Sequence, residues 1–265
     1  MAESHRTGDG SIWVRPEPAA RSLRFSRQQI ATAALEIADA EGFEAVSMRR
    51  IAHSLGAGTM SLYRYVATKD ELLALVADAL LGEALVPGEL PTDWVEAISA
   101  VARQTRCAYL RHPWAIHLVH RRKAVKAALA GPNGLRHAEQ SLSALSGAPM
   151  DAKAKLDVLA IVEDYGLGHL MRAAASTPDA ETGAVAAARP LGRARGGQPG
   201  QPAADPEPAG TADFIRSQLA SGDFPQLASV IGPDEVVGST SPADLDAQFE
   251  LGLKLLLDGI AASFC

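Results

Sequence analysis

An all-α fold is predicted by two features of the 265-residue chain. Ala and Leu dominate a composition in which aromatic residues make up only 5%, and helices favour such residues while half-buried strands favour β-branched and aromatic ones. Apolar residues also recur at spacings of three and four between recognisable helix starts and stops, and no set of alternating segments suggests a sheet. The apolar fraction of 47% is enough for a well-buried core.

Residues 1–20 lack apolar periodicity and are expected to form a flexible N-terminal arm, in which Arg6 and Arg15 are candidates for tracking phosphates. Ser26 and Gln29 have capping-box spacing, so a first helix is expected from Ser26 to Gly42, with Ile30, Ala34, Ile37 and Ala38 on one face. Ser47 caps a second helix reaching Leu55. Gly56-Ala57-Gly58 is a tight turn, and Thr59 starts a short third helix to Tyr65. Thr68 and Glu71 form another capping box, opening a longer helix that carries Leu72, Leu73, Val76 and Leu80 and stops near Val86-Pro87-Gly88.

Helical signals continue to the end of the chain. Asp93 and Glu96 start a helix that Pro113 breaks, and another runs from about Trp114 to Ala130. Gly131-Pro132-Asn133-Gly134 reads as a turn, followed by helices over Leu135–Leu145 and Asp151–Ala175. Residues 177–210 hold six Pro, six Gly and no aromatic residue, which predicts a flexible internal loop. Helices are expected again at Thr211–Ser221, at Phe224–Val230 and, after Ser241-Pro242, as far as Ser263.

Two short helices joined by a glycine turn, the second exposing small polar and aromatic groups, have the pattern of a helix-turn-helix. Charge agrees. Residues 21–69 carry seven basic and four acidic side chains, a net +3, within a chain of net charge −6. Nucleic-acid binding depends on a local basic face and not on the total. No apolar run is long enough to span a bilayer, and the first residues lack a signal core, which points to the cytoplasm and away from a membrane. Cys107 and Cys265 match no metal-ligand spacing, and no nucleophile-elbow, P-loop, paired-cysteine or H-E-x-x-H motif is present, so neither a cofactor nor catalysis is expected. His112, His117 and His120 have no carboxylate or thiolate at ligand spacing, which argues against metal, and the run from His120 to Lys123 reads as a solvated basic face.

Several segments in order resemble the TetR (tetracycline repressor-like) family: Ile30-Ala31-Thr32-Ala33-Ala34, Glu41-Gly42-Phe43, Ser47-Met48-Arg49-Arg50-Ile51-Ala52, Leu62-Tyr63-Arg64-Tyr65-Val66 and Lys69-Asp70-Glu71-Leu72-Leu73. The resemblance implies a DNA-binding domain over 21–70 and a helical regulatory and dimerisation domain over 71–265. It implies DNA contacts from Arg24, Ser47, Arg49 and Thr68, groove-facing positions for Thr59, Met60, Ser61 and Tyr65, and phosphate clamps at Tyr63 and Lys69. Arg111-His112-Pro113-Trp114 and the Gly131–Gly134 run are similar to the tetracycline-repressor-type regulatory half. That half implies a small-molecule effector, for which Trp94, Ile98, Tyr109, Trp114, Leu118, Leu135, Leu159, Tyr165 and His169 are candidate walls or plain core. It also implies a homodimer in which helices 151–175 and 241–263 pair with their twins through Leu159, Gly166, Leu170, Phe249, Gly252, Leu256 and Gly259, with packing inside one chain as the alternative. The expected function is regulation of transcription, commonly repression, from a double-stranded, pseudo-palindromic operator, and a helical protein-interaction module is the alternative.

Overall fold

The computed structural model describes residues 12–17, 25–119, 121–175, 209–231 and 241–264. All regular elements among them are helical. The chain forms two compact units that divide between Ala174 and Ala175 and again between Ala247 and Gln248.

In the first unit, α1 (Arg27–Glu41), α2 (Met48–Ser54) and α3 (Thr59–Leu62) build the helix-turn-helix head. The capping box expected of Ser26 and Gln29 is fully formed. Ser47 Oγ accepts from Arg50 N at 3.3 Å and starts α2. After α2 the amide of Ala57 reaches Ala52 O at 2.8 Å and that of Gly56 reaches His53 O at 3.1 Å. These are the two bonds of a Schellman stop, and they require the left-handed φ of +62° that Gly56 supplies. Contrary to the expectation, Thr59 does not cap α3: Gly58 occupies the cap and no side chain closes it.

α4 (Lys69–Glu83) connects the head to the C-terminal half. Where the sequence suggests one apolar side, every residue from Leu72 to Asp78 is buried. A helix that is apolar all round needs neighbours all round, and α4 has them in α1, α5 (Trp94–Arg111), α7 (Arg122–Leu129) and α8 (Pro132–Ala144). Consequently one hydrophobic cluster holds Ile30, Ile51 and Leu62 of the head together with Leu73 and Leu80 of α4, and with Trp114, Leu118 and Ala128 beyond it.

The helix expected over 114–130 is divided into a 3-10 turn (Pro113–Ala115), α6 (Ile116–Val119) and α7. The Gly131–Gly134 run is not a free turn, because α8 already begins at Pro132, proline being suited to a first helical position. α9 (Ala152–Ala175) and α12 (Pro242–Phe264) lie near their expected bounds. They share a second cluster with α5 and the end of α8, including Ile98, Leu145, Val162, Phe249, Leu253 and Leu257. The second unit contains α10 (Ala209–Ala220) and α11 (Pro225–Val230), whose Phe214, Leu227 and Val230 are exposed. The loop expected over 177–210 lies outside the described residues except for its last two, which already belong to α10.

Candidate nucleic-acid interface

The head separates its recognition segment into two faces. Leu62 and Val66 are fully buried, whereas Met60, Ser61, Tyr63 and Arg64 are exposed and Thr59 is half-buried. Met60, at 79% exposure, is an apolar side chain left outside the core on a surface otherwise built from hydroxyl and basic groups. Ser47, Arg49, Thr68 and Lys69 are also exposed around this segment. Arg49 and Lys69 bring to this face the positive charge that attracts phosphates, and short hydroxyl side chains are suited to base edges. Arg50 is bound by Glu41. Arg24 lies outside the described residues.

Tyr65 corrects the sequence reading. Instead of facing outward it is 3% exposed and belongs to the first hydrophobic cluster. Tyr65 follows Leu62 by three positions and so shares its buried face, and the amides of Tyr65 and Val66 both bond Leu62 O, at 2.9 and 3.0 Å. The outward list is therefore Thr59, Met60, Ser61, Tyr63 and Arg64.

The segment joining α3 to α4 is held from three directions. Thr68 Oγ1 accepts from Glu71 N at 3.1 Å, so half of the expected capping box is present. The Glu71 carboxylate does not return to the cap residue; it accepts from Ala67 N at 2.6 Å and from both terminal nitrogens of Arg15, at 3.0 and 2.6 Å. Burial raises the Glu71 pKa, but the hydrogen bonds and charge of Arg15, with the bond from Ala67, more than offset this and lower it. Tyr65 O accepts from Arg15 at 3.0 Å and from Arg27 Nε at 3.3 Å. Residues 12–17 are thus not the flexible arm the sequence suggests. Ile12 is buried, Trp13 Nε1 donates to Ala127 O at 2.6 Å, and Glu17 accepts from Arg27 N at 3.1 Å. The overlooked signal was Ile12-Trp13, an apolar pair inside a polar tail.

Two polar junctions connect the head and α4 to the C-terminal half. Asp78, on α4, accepts from the amides of Asn133 and Gly134 at 3.0 Å each and from Asn133 Nδ2 at 3.1 Å, capping α8 from outside. Gly131 is required here, since a Cβ would stand 2.2 Å from Asp78 Oδ1 and 2.7 Å from the Trp13 ring. His112 sits between two carboxylates, its Nδ1 2.7 Å from Asp39 of α1 and its Nε2 3.1 Å from Glu83 of α4. Both partners accept, so the ring serves both only as an imidazolium. Burial disfavours that charge, but the bonds to Asp39 and Glu83 outweigh it and raise the pKa.

The candidate effector walls divide between the two hydrophobic clusters. Tyr109, Trp114 and Leu118 belong to the first cluster, and Trp94, Ile98, Leu159 and Tyr165 to the second. His169 is buried against the Phe249 ring, with centroids 5.1 Å apart. Leu135 is exposed, which removes it from the list, because Gly134, His137, Ser141 and Ala144 form the inward face of α8. Three of the dimer assignments, Phe249, Leu170 and Gly252, are taken up within the chain. Phe249 and Leu170 are buried within their own chain, and Leu159 and Leu256 pack on the second cluster. Gly252 admits Tyr165 of the same chain, whose hydroxyl would lie 2.3 Å from an added Cβ and donates to Phe249 O at 2.8 Å. Gly166 and Gly259, in contrast, have nothing within 4 Å of an added Cβ.

Comparison with known proteins agrees with this arrangement. Residues 30–76 match the family "Bacterial regulatory proteins, tetR family", and residues 86–264 match "Tetracyclin repressor-like, C-terminal domain". The chain belongs to the TetR family. An HTH-type transcriptional regulator of Saccharopolyspora erythraea is 31% identical over 255 residues, covering 96% of this chain and 92% of that protein. The HTH-type transcriptional repressor DrrR1 of Streptomyces coeruleorubidus is 31% identical over 237 residues, 88% of this chain and 76% of the relative. Among solved structures, apo ActR of Streptomyces coelicolor superposes with a TM-score of 0.64 at 26% identity, covering 91% of this chain and 97% of that one. ActR in complex with actinorhodin gives a TM-score of 0.63 at 27% identity, with coverage of 91% and 98%. The TetR assignment makes the chain a DNA-binding transcriptional regulator with its head in residues 30–76. Among the described residues no helix is long and apolar enough to cross a membrane.

Proposed function

We propose that this TetR-family regulator is a non-enzymatic cytoplasmic repressor that binds a pseudo-palindromic operator as a homodimer and is released by a small molecule. The observation that carries the DNA reading is the outward face of Thr59, Met60, Ser61 and Tyr63 beside Arg49 and Lys69, above a buried Leu62 and Tyr65. Ser47 and Thr68 complete it at the starts of α2 and α4, and Arg24 is retained as a backbone contact on the resemblance alone. Repression is supported by the name of the DrrR1 relative.

The dimer reading draws on α9 and α12. Leu156 and Ile161 on the first, and Leu251 and Leu255 on the second, are exposed by about half or more. Open surfaces at Gly166 and Gly259 allow another helix to approach closely. A two-fold pair would place two heads on half-sites roughly 34–36 Å apart.

For the effector, ActR with actinorhodin is a ligand-bound structural neighbour. The favoured region here lies among α5, α8 and α9. The inward face of α8 is small and polar, and His137 Nε2 lies 3.1 Å from Thr105 Oγ1. Burial raises the pKa of Tyr109 and also that of Glu163, although solvent still reaches the Glu163 side chain. An effector there acts by preferring the head spacing that does not fit the operator.

Footprinting on the DNA upstream of the gene tests the reading. The expected result is an inverted repeat protected on both halves; protection of one isolated half-site would remove the dimer.

A further inference from the structure

We propose that Ile12–Glu17 is a positioning strap, which fixes the recognition segment by tying it directly to α7 and the start of α8, alongside the route through α4. The inference rests on the DNA-binding assignment but concerns residues that precede the head.

One end of the strap is anchored on the regulatory half. Trp13 donates to Ala127 O at 2.6 Å, and its ring lies over Gly131, where a Cβ would meet Cζ2 at 2.7 Å. Ile12 beside it is 2% exposed. The other end grips the link between α3 and α4. Arg15 is the positioning residue: its NH2 is shared between Tyr65 O at 3.0 Å and Glu71 at 2.6 Å, while NH1 takes the second Glu71 oxygen at 3.0 Å. The same carboxylate holds Ala67 N, and Arg27 reaches Tyr65 O, so three side-chain bonds converge on the backbone that follows Tyr63. Only Val14 separates the anchor, Trp13, from the grip, Arg15, too short a span to absorb a displacement by slack. A shift of the α7–α8 turn therefore pulls on Tyr65–Ala67 and re-aims the exposed recognition face. Asp78 meets the same turn from α4, so strap and connecting helix sense the same movement.

The competing role for Arg15 is a phosphate contact, and salt dependence distinguishes the two. Trp13→Ala and Arg15→Ala are compared with the wild-type chain for affinity to an upstream fragment that the wild type retards, over a series of salt concentrations. Amide exchange is followed at Tyr65, Val66 and Ala67 in the DNA-free proteins. A strap predicts about tenfold weaker binding for both variants, an unchanged salt slope, and faster exchange at those amides. A slope reduced by about 0.9 in Arg15→Ala alone, or wild-type binding or exchange in Trp13→Ala, would overturn it. Trp13→Phe, which retains the ring but loses the bond to Ala127, carries the test if the alanine variant does not fold. If the wild type retards no fragment, the DNA reading fails, while the exchange measurement still decides whether the strap holds the link.

Discussion

Replacing Asp78 with alanine should destabilise the protein by about 3 kcal/mol, although the residue is remote from the proposed DNA face. The carboxylate accepts three bonds, from the amides of Asn133 and Gly134 and from Asn133 Nδ2. The Gly134 amide is buried, and an orphaned buried donor costs about 1–3 kcal/mol. Loss of the cap from the first turn of α8 adds about 0.5–2 kcal/mol. Against this, burial raises the pKa of Asp78, and that desolvation is relieved when the carboxylate is removed. Asp78→Asn keeps an oxygen for the two amides but sets its own Nδ2 against Asn133 Nδ2, and should cost about 1–2 kcal/mol from that lost bond and the lost charge assistance. With a urea dependence of about 3 kcal/mol per M, the alanine midpoint falls by about 1 M. Urea unfolding followed by circular dichroism at one protein concentration measures both variants. An alanine variant as stable as wild type, or an asparagine variant as damaged as alanine, would show that the cap does not hold α4 to α8.

His112 predicts a pH dependence of definite sign. Its folded-state pKa is raised, so its stabilising contribution is complete below the unfolded value near about 6.5 and is lost as pH rises through the folded value. Thermal melts should show the wild type losing stability across that window while His112→Gln varies less; parallel curves would refute the bridge. The two glycines of α12 should behave oppositely. Gly252→Ala drives a methyl group into Tyr165 and should cost about 1–2 kcal/mol net, overpacking set against the gain in helix propensity. Gly259→Ala meets nothing within 4 Å and should raise protomer stability by about 0.5–1 kcal/mol, while weakening self-association in sedimentation equilibrium if a second copy packs there. Unchanged association would remove Gly259 from the interface.

The head was legible in sequence because its signals are local. Ser26, Ser47 and Thr68 each cap the helix that follows within three residues, and Gly56 supplies the one backbone conformation the turn needs. Tyr65 was misread because the resemblance set it outward, whereas its spacing of three from the buried Leu62 puts it on the inward face. The strap and the Asp78 cap were not legible because they join residues about 50 or more positions apart, such as Arg15 with Glu71 and Asp78 with Gly134. Part of the dimer list is used within the chain for a related reason. An apolar stripe on α12 indicates burial but not the partner, and Phe249 and Gly252 are used by α9 of the same chain. What pairing is left to explain falls on Leu156, Ile161, Leu251 and Leu255, which a search for core residues passes over.

The central claim is that the exposed face of α3, backed by Lys69, reads and holds operator DNA. Quantitative gel retardation on the upstream region, across salt concentrations, tests it with Lys69→Ala, Tyr63→Phe and Ser61→Ala. Lys69→Ala should weaken binding to specific and unrelated DNA alike and reduce the salt slope by about 1. Tyr63→Phe should weaken both without altering the slope. Ser61→Ala should leave the slope intact but narrow the preference for the operator. Wild-type affinity, slope and preference in all three variants would contradict the account.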